Sequence, residues 1–224
     1  MARLTRLVLP GQAHYIIQRS HGGQAVLADV ADREHLGRLI TQAAAAQRVQ
    51  LLAFALLDTE VQWLCTPPDS RALGHMMQTI GRRYVSAYNQ RHGRQGTLWD
   101  GRFRCAVVEP GAPLLEVLCL VDGQCAASGD SLRTTAGQRT GEPALAPVTD
   151  PPEYWALGNT PFERERAYRE RLAQRISPTR AQALRAAALG GWAIGSARFA
   201  EQVGQACGRP AAPRPRGRPR RSPG

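Results

Sequence analysis

Between Gly81 and Arg104 the chain reads GRRYVSAYNQRHGRQGTLWDGRFR. Six arginines (Arg82, Arg83, Arg91, Arg94, Arg102, Arg104) are interleaved there with Tyr84, Tyr88, Trp99 and Phe103. A guanidinium binds phosphate through two parallel N–H donors, and an aromatic face stacks on an unpaired base. Both residue types in one run describe a surface for a flexible polyanion, and nucleic acid is the polyanion whose bases would use the aromatics. A solvated amphipathic helix followed by a basic loop reads the same way. Tyr84 and Tyr88 stand one helical turn apart, a spacing shared by core stripes and stacking platforms. Trp99 and Phe103, set among Gly96, Gly101 and arginines, are the better candidates for touching bases.

The rest of the composition narrows the chemistry. The chain has 224 residues, 29 basic against 18 acidic, for a formal net charge of +11. Every basic residue is Arg. The absence of Lys excludes lysine nucleophiles and Schiff bases. At 43% hydrophobic the chain can bury a real core. Cys65, Cys105, Cys119, Cys125 and Cys207 form no CxxC pair, which fits reduced thiols in a reducing compartment. The opening MARLTRLVLPGQ has only a short apolar run, and no run approaches a membrane span. These features predict a soluble, cytoplasmic protein with no membrane partner.

Certain elements must position the arginine run. His14–Arg19 is short, β-branched and aromatic, and reads as a strand. Asp32–Gln47 has helical spacing, with Leu36, Leu39 and Ile40 on one face. Val49–Leu57 and Val61–Thr66 read as two strands joined in a hairpin by Asp58, Thr59 and Glu60. Ser70–Asn89 repeats Leu73, Met76, Met77, Ile80 and Tyr84 at helical steps, with Ser70 as a cap. Cys105–Glu109 is a fourth strand, and Pro113–Ala127 a further helix begun by a proline. The order strand, helix, strand, strand, helix, strand, helix is that of a ferredoxin-like α+β sheet. It predicts an antiparallel sheet with helices on one face and the other face open for binding.

Residues 1–128 therefore form a ferredoxin-type palm. Residues 129–152, rich in Gly, Thr and Pro, read as a linker. Residues 153–208 are helical, and 209–224 form a basic tail expected to be disordered when free. Within the tail, Pro215-Arg216-Gly217-Arg218-Pro219 resembles the core of an AT-hook, in which Arg216 and Arg218 would follow a narrow minor groove. A non-specific basic tail is the plainer reading.

Several segments together resemble a known family. LVLPGQAHYIIQRS, VADREHL, the Gly81–Arg104 run and PPEYWALGNTPFERERAY are similar to the REP-associated tyrosine transposases, of the single-tyrosine HUH class. The resemblance covers most of the chain and implies a ferredoxin-like palm. It also implies DNA transposition chemistry for a mobile element. In that chemistry two histidines on a strand bind a divalent metal, a tyrosine on the last palm helix attacks a DNA phosphodiester, and a polar residue one turn later completes the metal site.

This chain departs from that pattern. Glu60 and Gln62 fall at the histidine positions, Leu120 at the nucleophile and Gln124 one turn beyond. The spacing survives, since residues two apart on a strand and four apart on a helix each share a face. Leucine has no nucleophilic atom, so the resemblance implies a DNA-binding protein with a degenerate active site. The alternative is an active transposase using a displaced tyrosine, Tyr84 or Tyr88. Glu60, Gln62 and Gln124 offer one carboxylate and two amide oxygens, which would suit Mg²⁺; otherwise Glu60 is a solvated turn residue. Single-stranded or hairpin DNA is the expected partner, and a homodimer, or pairing with an intact relative, is a further expectation.

Overall fold

Strand β1 (Ala13–Arg19) lies inside the sheet because its run of buried residues is bonded on both sides. It pairs antiparallel with β3 (Glu60–Thr66) on one side and β4 (Arg104–Val108) on the other. Strand β2 (Gln50–Leu57) pairs antiparallel with β3 through a hairpin in which Leu57 faces Glu60 across Asp58 and Thr59. The order β2-β3-β1-β4 is the ferredoxin-like arrangement read from the sequence. The structure is a computed structural model and describes residues 6–125, 133–143 and 146–213.

Alternation along the strands sorts the side chains to two faces. Ile16, Phe54, Trp63 and Cys105 face helices α1 (Val30–Ala46) and α2 (Ala72–Arg91). Helix α1 starts cleanly: the Asp29 carboxylate accepts from the Asp32 amide at 3.0 Å, and Asp32 accepts in return from the Ala28 amide. Helix α2 runs two residues beyond Asn89, to Arg91.

Tyr15, Ile17, Ala55, Leu64 and Ala106 line the second face, which is not open. Helix α3 (Ala112–Asp122) lies on it, with α5 (Pro152–Trp155), α6 (Pro161–Gln174) and α7 (Pro178–Gly190). Tyr154, Tyr168, Leu184 and Ala188 of these helices are buried in that core. The C-terminal helices thus complete the palm's second core. Helix α8 (Ala197–Cys207) packs Phe199 and Val203 against Val107 and Leu7.

Much of the stretch 129–152, expected as a linker, is also packed. Thr135 exchanges hydrogen bonds with Phe54 of β2, and the Thr149 amide donates to the Leu51 carbonyl at 2.7 Å. The short helix α4 (Gly137–Thr140) carries Arg139 into the interior, where it is fully buried. These contacts cover the outer edge of β2. On β4, the Ile194 amide donates to Val107 and the Glu109 amide to Ile194, each at 2.8 Å. Both edges of the sheet are partly covered by the chain itself, which disfavours pairing with a strand of another chain.

Candidate nucleic-acid interface

The six arginines of the Gly81–Arg104 run divide into two sets. Arg82 and Arg83 are on the outward side of α2, and Arg102 and Arg104 on the path into β4; all four are exposed. None of them has a carboxylate partner among the described residues. Arg91 is committed elsewhere. It donates to Asp29 and, at 2.6 Å, to Asp32, and these bonds raise its own pKa and hold the Asp29 carboxyl below the usual carboxylate range. Arg94 donates to the Gln24 amide oxygen and sits 5.7 Å from the Tyr88 ring. His92, another residue of the basic loop, has its Nε2 2.9 Å from Asp32 and its ring 4.3 Å from Tyr88. Among the described residues, the guanidiniums of Arg82, Arg83, Arg102 and Arg104 are the ones of the run left without such a partner.

The aromatics of the run point inward, so the expectation that Trp99 and Phe103 offer themselves to bases is corrected. Trp99 packs against Tyr84 with ring centroids 6.2 Å apart, and Phe103 is covered by the Arg6 guanidinium at 3.8 Å. Both belong to the first-face core. The basic segment is polar only on its outside because its large rings anchor it. A rim of Trp99 does reach an open groove of ≈ 780 Å³ between α2 and the Thr97–Gly101 loop, beside His21, Arg82, Ser86 and Asp100.

Tyr84 and Tyr88 are core residues as well. The Tyr84 hydroxyl donates to the Val26 carbonyl at 2.5 Å, and the Tyr88 hydroxyl to Ala25 at 3.1 Å. Burial raises the pKa of both phenols, away from the tyrosinate that attack would need. They pack on the first face, whereas the side chains of Glu60 and Gln62 serve the second.

Glu60 is neither solvated nor a metal ligand by its surroundings. It is the first residue of β3 and is buried. Both its carboxylate oxygens accept from the guanidinium of Arg185 on α7, the second at 2.9 Å. The Gln62 amide donates to Glu60 at 2.5 Å, and the Tyr15 hydroxyl donates to the Gln62 carbonyl at 2.7 Å. Burial raises the Tyr15 phenol's pKa, and the bond to Glu60 raises that of Arg185. A divalent cation needs free oxygen lone pairs, and here a fixed positive charge already takes both carboxylate oxygens. The residues present do not fit Mg²⁺. No cluster of three His, Cys, Asp or Glu suited to a metal occurs among the described residues.

Leu120 is buried in the second-face core, and Gln124, half-buried, follows in the 3-10 turn after α3. They line a separate hollow of ≈ 250 Å³ with Arg171 and Arg175, and neither Glu60 nor Gln62 lines it. The expected metal-site residues are therefore not gathered into one pocket. Arg216 and Arg218 lie outside the described residues.

Two polar clusters join residues far apart in the chain. One is Arg185 on Glu60. The other is Asp122, whose carboxylate accepts from Thr135 at 3.0 Å, from Arg139 at 2.9 Å and from the Tyr168 hydroxyl at 2.7 Å. Arg139 also lies 2.8 Å from Asp150 and donates to the Leu52 carbonyl. Asp122, closing the apolar run Val117–Val121 of α3, was the one signal available in the sequence, since a charge that ends such a run must find a partner.

The chain matches no family model and no curated protein sequence. Among solved structures it is similar to a REP-associated tyrosine transposase bound to a REP hairpin, with 12% identity and a TM-score of 0.49 over 67% of this chain and 93% of the other. It is also similar to a Deinococcus radiodurans protein described as a candidate transposase, with 22% identity and a TM-score of 0.37 over 48% of this chain and 87% of the other. At these values neither likeness assigns an activity to the chain. No helix among the described residues is long and apolar enough to cross a membrane.

Proposed function

We propose that this chain is a DNA-binding protein derived from a single-tyrosine transposase, and that it holds single-stranded or hairpin DNA without cutting it by the family's covalent step. The sequence segments quoted above and the ferredoxin-like strand order support the origin. The loss of cutting rests on Leu120. Its side chain has no atom able to attack phosphorus, and the two strand positions that would hold a metal are engaged with Arg185 and Tyr15. DNA is held at Arg82, Arg83, Arg102 and Arg104, with Arg216 and Arg218 of the tail adding affinity. The protein acts in the cytoplasm, alone or as a homodimer.

The observations that carry this reading are four exposed arginines without carboxylate partners among the described residues and, on the second face of the sheet, family positions occupied by Glu60, Gln62 and Leu120. Titration of a DNA hairpin with the full chain at several salt concentrations tests it. Each lost phosphate contact lowers the slope of log K against log salt by about 0.9. Replacing Arg82, Arg83, Arg102 and Arg104 by Gln is expected to flatten the slope by about three to four on that scale and to leave the fold intact. An unchanged slope removes this surface from the account.

A further inference from the structure

The hollow beside Leu120 has a composition of its own. Its floor is Leu120, Leu172 and Ile176, and its rim carries Gln124, Cys119, Arg171 and Arg175. No carboxylate lines it. Arg171 and Arg175 have no carboxylate partner among the described residues, unlike Arg180 on the next helix, which is held bidentately by Glu116. Helix α6 sits close on the end of α3 here, with Leu172 in van der Waals range of where a side chain at Gly123 would begin. The volume of ≈ 250 Å³ exceeds many times over what one water needs.

Arg175 adds an independent sign. It ends α6 with φ 46 and ψ 137, on the positive side that favours glycine. A residue with a side chain kept in such a conformation is held there by its surroundings, and such residues gather at binding sites. Arginines at a helix C-terminus also complement its dipole, but a dipole partner needs no concave apolar floor.

We infer that Arg171 and Arg175 form a phosphate-binding pocket over Leu120 that takes a phosphomonoester, either the 5′ phosphate at a DNA end or a free nucleotide. Two guanidiniums neutralise the dianion, Gln124 donates to a phosphate oxygen, and Leu120, Leu172 and Ile176 meet the attached sugar. Only the DNA-end form rests on the proposed function; the pocket itself does not.

Two measurements on the full chain test it. The first compares a short single-stranded oligonucleotide carrying a 5′ phosphate with the same strand ending in a 5′ hydroxyl. The phosphate is expected to bind at least about ten-fold more tightly, and the preference to vanish in an Arg171→Gln/Arg175→Gln variant. The second follows N-ethylmaleimide labelling of Cys119 by peptide mass mapping. Cys65 and Cys105 are buried, Cys207 is read on its own peptide, and fragment-ion sequencing separates Cys119 from Cys125, which shares its tryptic peptide. A mononucleotide is expected to slow labelling at Cys119 in the unmodified protein, a result that does not depend on the variant folding.

Equal binding of the two strands overturns the DNA-end form and leaves the proposed function standing. Binding of neither strand with Cys119 still protected keeps the pocket and sinks the proposed function. Unprotected Cys119 together with equal binding overturns the pocket.

Discussion

The two faces of the sheet bury their polar groups on different terms. On the first face, Tyr84 and Tyr88 give one hydroxyl each to a backbone carbonyl, and the buried carboxylate of Asp32 meets the half-exposed Arg91 and the partly buried His92 at the margin of α1 and α2. On the second, a complete ion pair is buried, Asp122 with Arg139, and the buried Glu60 is held by the partly exposed Arg185. The first face is a mainly apolar core, charged only at its margin, that anchors a basic surface through Trp99 and Phe103. The second has Glu60 and Asp122, whose charges hold helices and the 133–150 segment to the sheet. A core can hold charge inside it provided each ion finds a partner.

The largest effect of a single substitution falls on the second face. Arg139→Met leaves Asp122 and Asp150 without their counter-charge. The expected loss is about 3–5 kcal/mol in urea denaturation, because an unpaired buried ion cannot be solvated. A loss below about 1 kcal/mol would erase the distinction between the faces.

The first face has its own weak point at His14, which alternation puts on the side of Ile16. Its ring is buried, with Nδ1 2.8 Å from the Gln12 carbonyl and Nε2 accepting from the Leu9 amide. Burial lowers its pKa to about 4, partly opposed by the bond to Gln12. The unfolded chain takes up the proton near pH 6.5 and the folded one does not, so stability is full above pH 6.5 and falls as the pH drops toward 4. The shift corresponds to roughly 3 kcal/mol. Denaturation midpoints between pH 7 and 4 measure it, and a His14→Asn variant is expected to lose most of that slope.

A smaller effect separates the two ion pairs of the second face. The Arg185 side chain is 32% exposed, so water can take over part of its charge. Glu60→Gln is expected to cost about 1–2 kcal/mol, less than Arg139→Met. It is also expected to speed hydrogen exchange in α7 more than in α1. A cost equal to that of Arg139→Met would mean that exposure does not govern these pairs.

How far the sequence foretold this depends on the range of each signal. The hairpin of β2 and β3, the helix through Leu73 and Ile80, and the strand order were legible, because each is written in neighbouring residues. Glu60 was not. It reads as a turn residue until Arg185, 125 positions later, is seen to hold it. The stretch 129–152 read as a linker for the same reason: Thr135 and Arg139 are polar because Asp122 is buried, and no local pattern reports that. Trp99 and Phe103 look like outward rings in a glycine- and arginine-rich run, yet their burial decides that the run stays attached to the core. The second face was expected open because the helices covering it come after a stretch whose composition suggests a break.

The central claim is that DNA is bound here without the covalent step, and one gel tests it directly. The full chain is incubated with a hairpin DNA and Mg²⁺, then run under native and under denaturing conditions. A shifted complex is expected on the native gel and free, uncut DNA on the denaturing one. A denaturation-resistant protein–DNA adduct, mapped by mass spectrometry to any tyrosine of the chain, would contradict it.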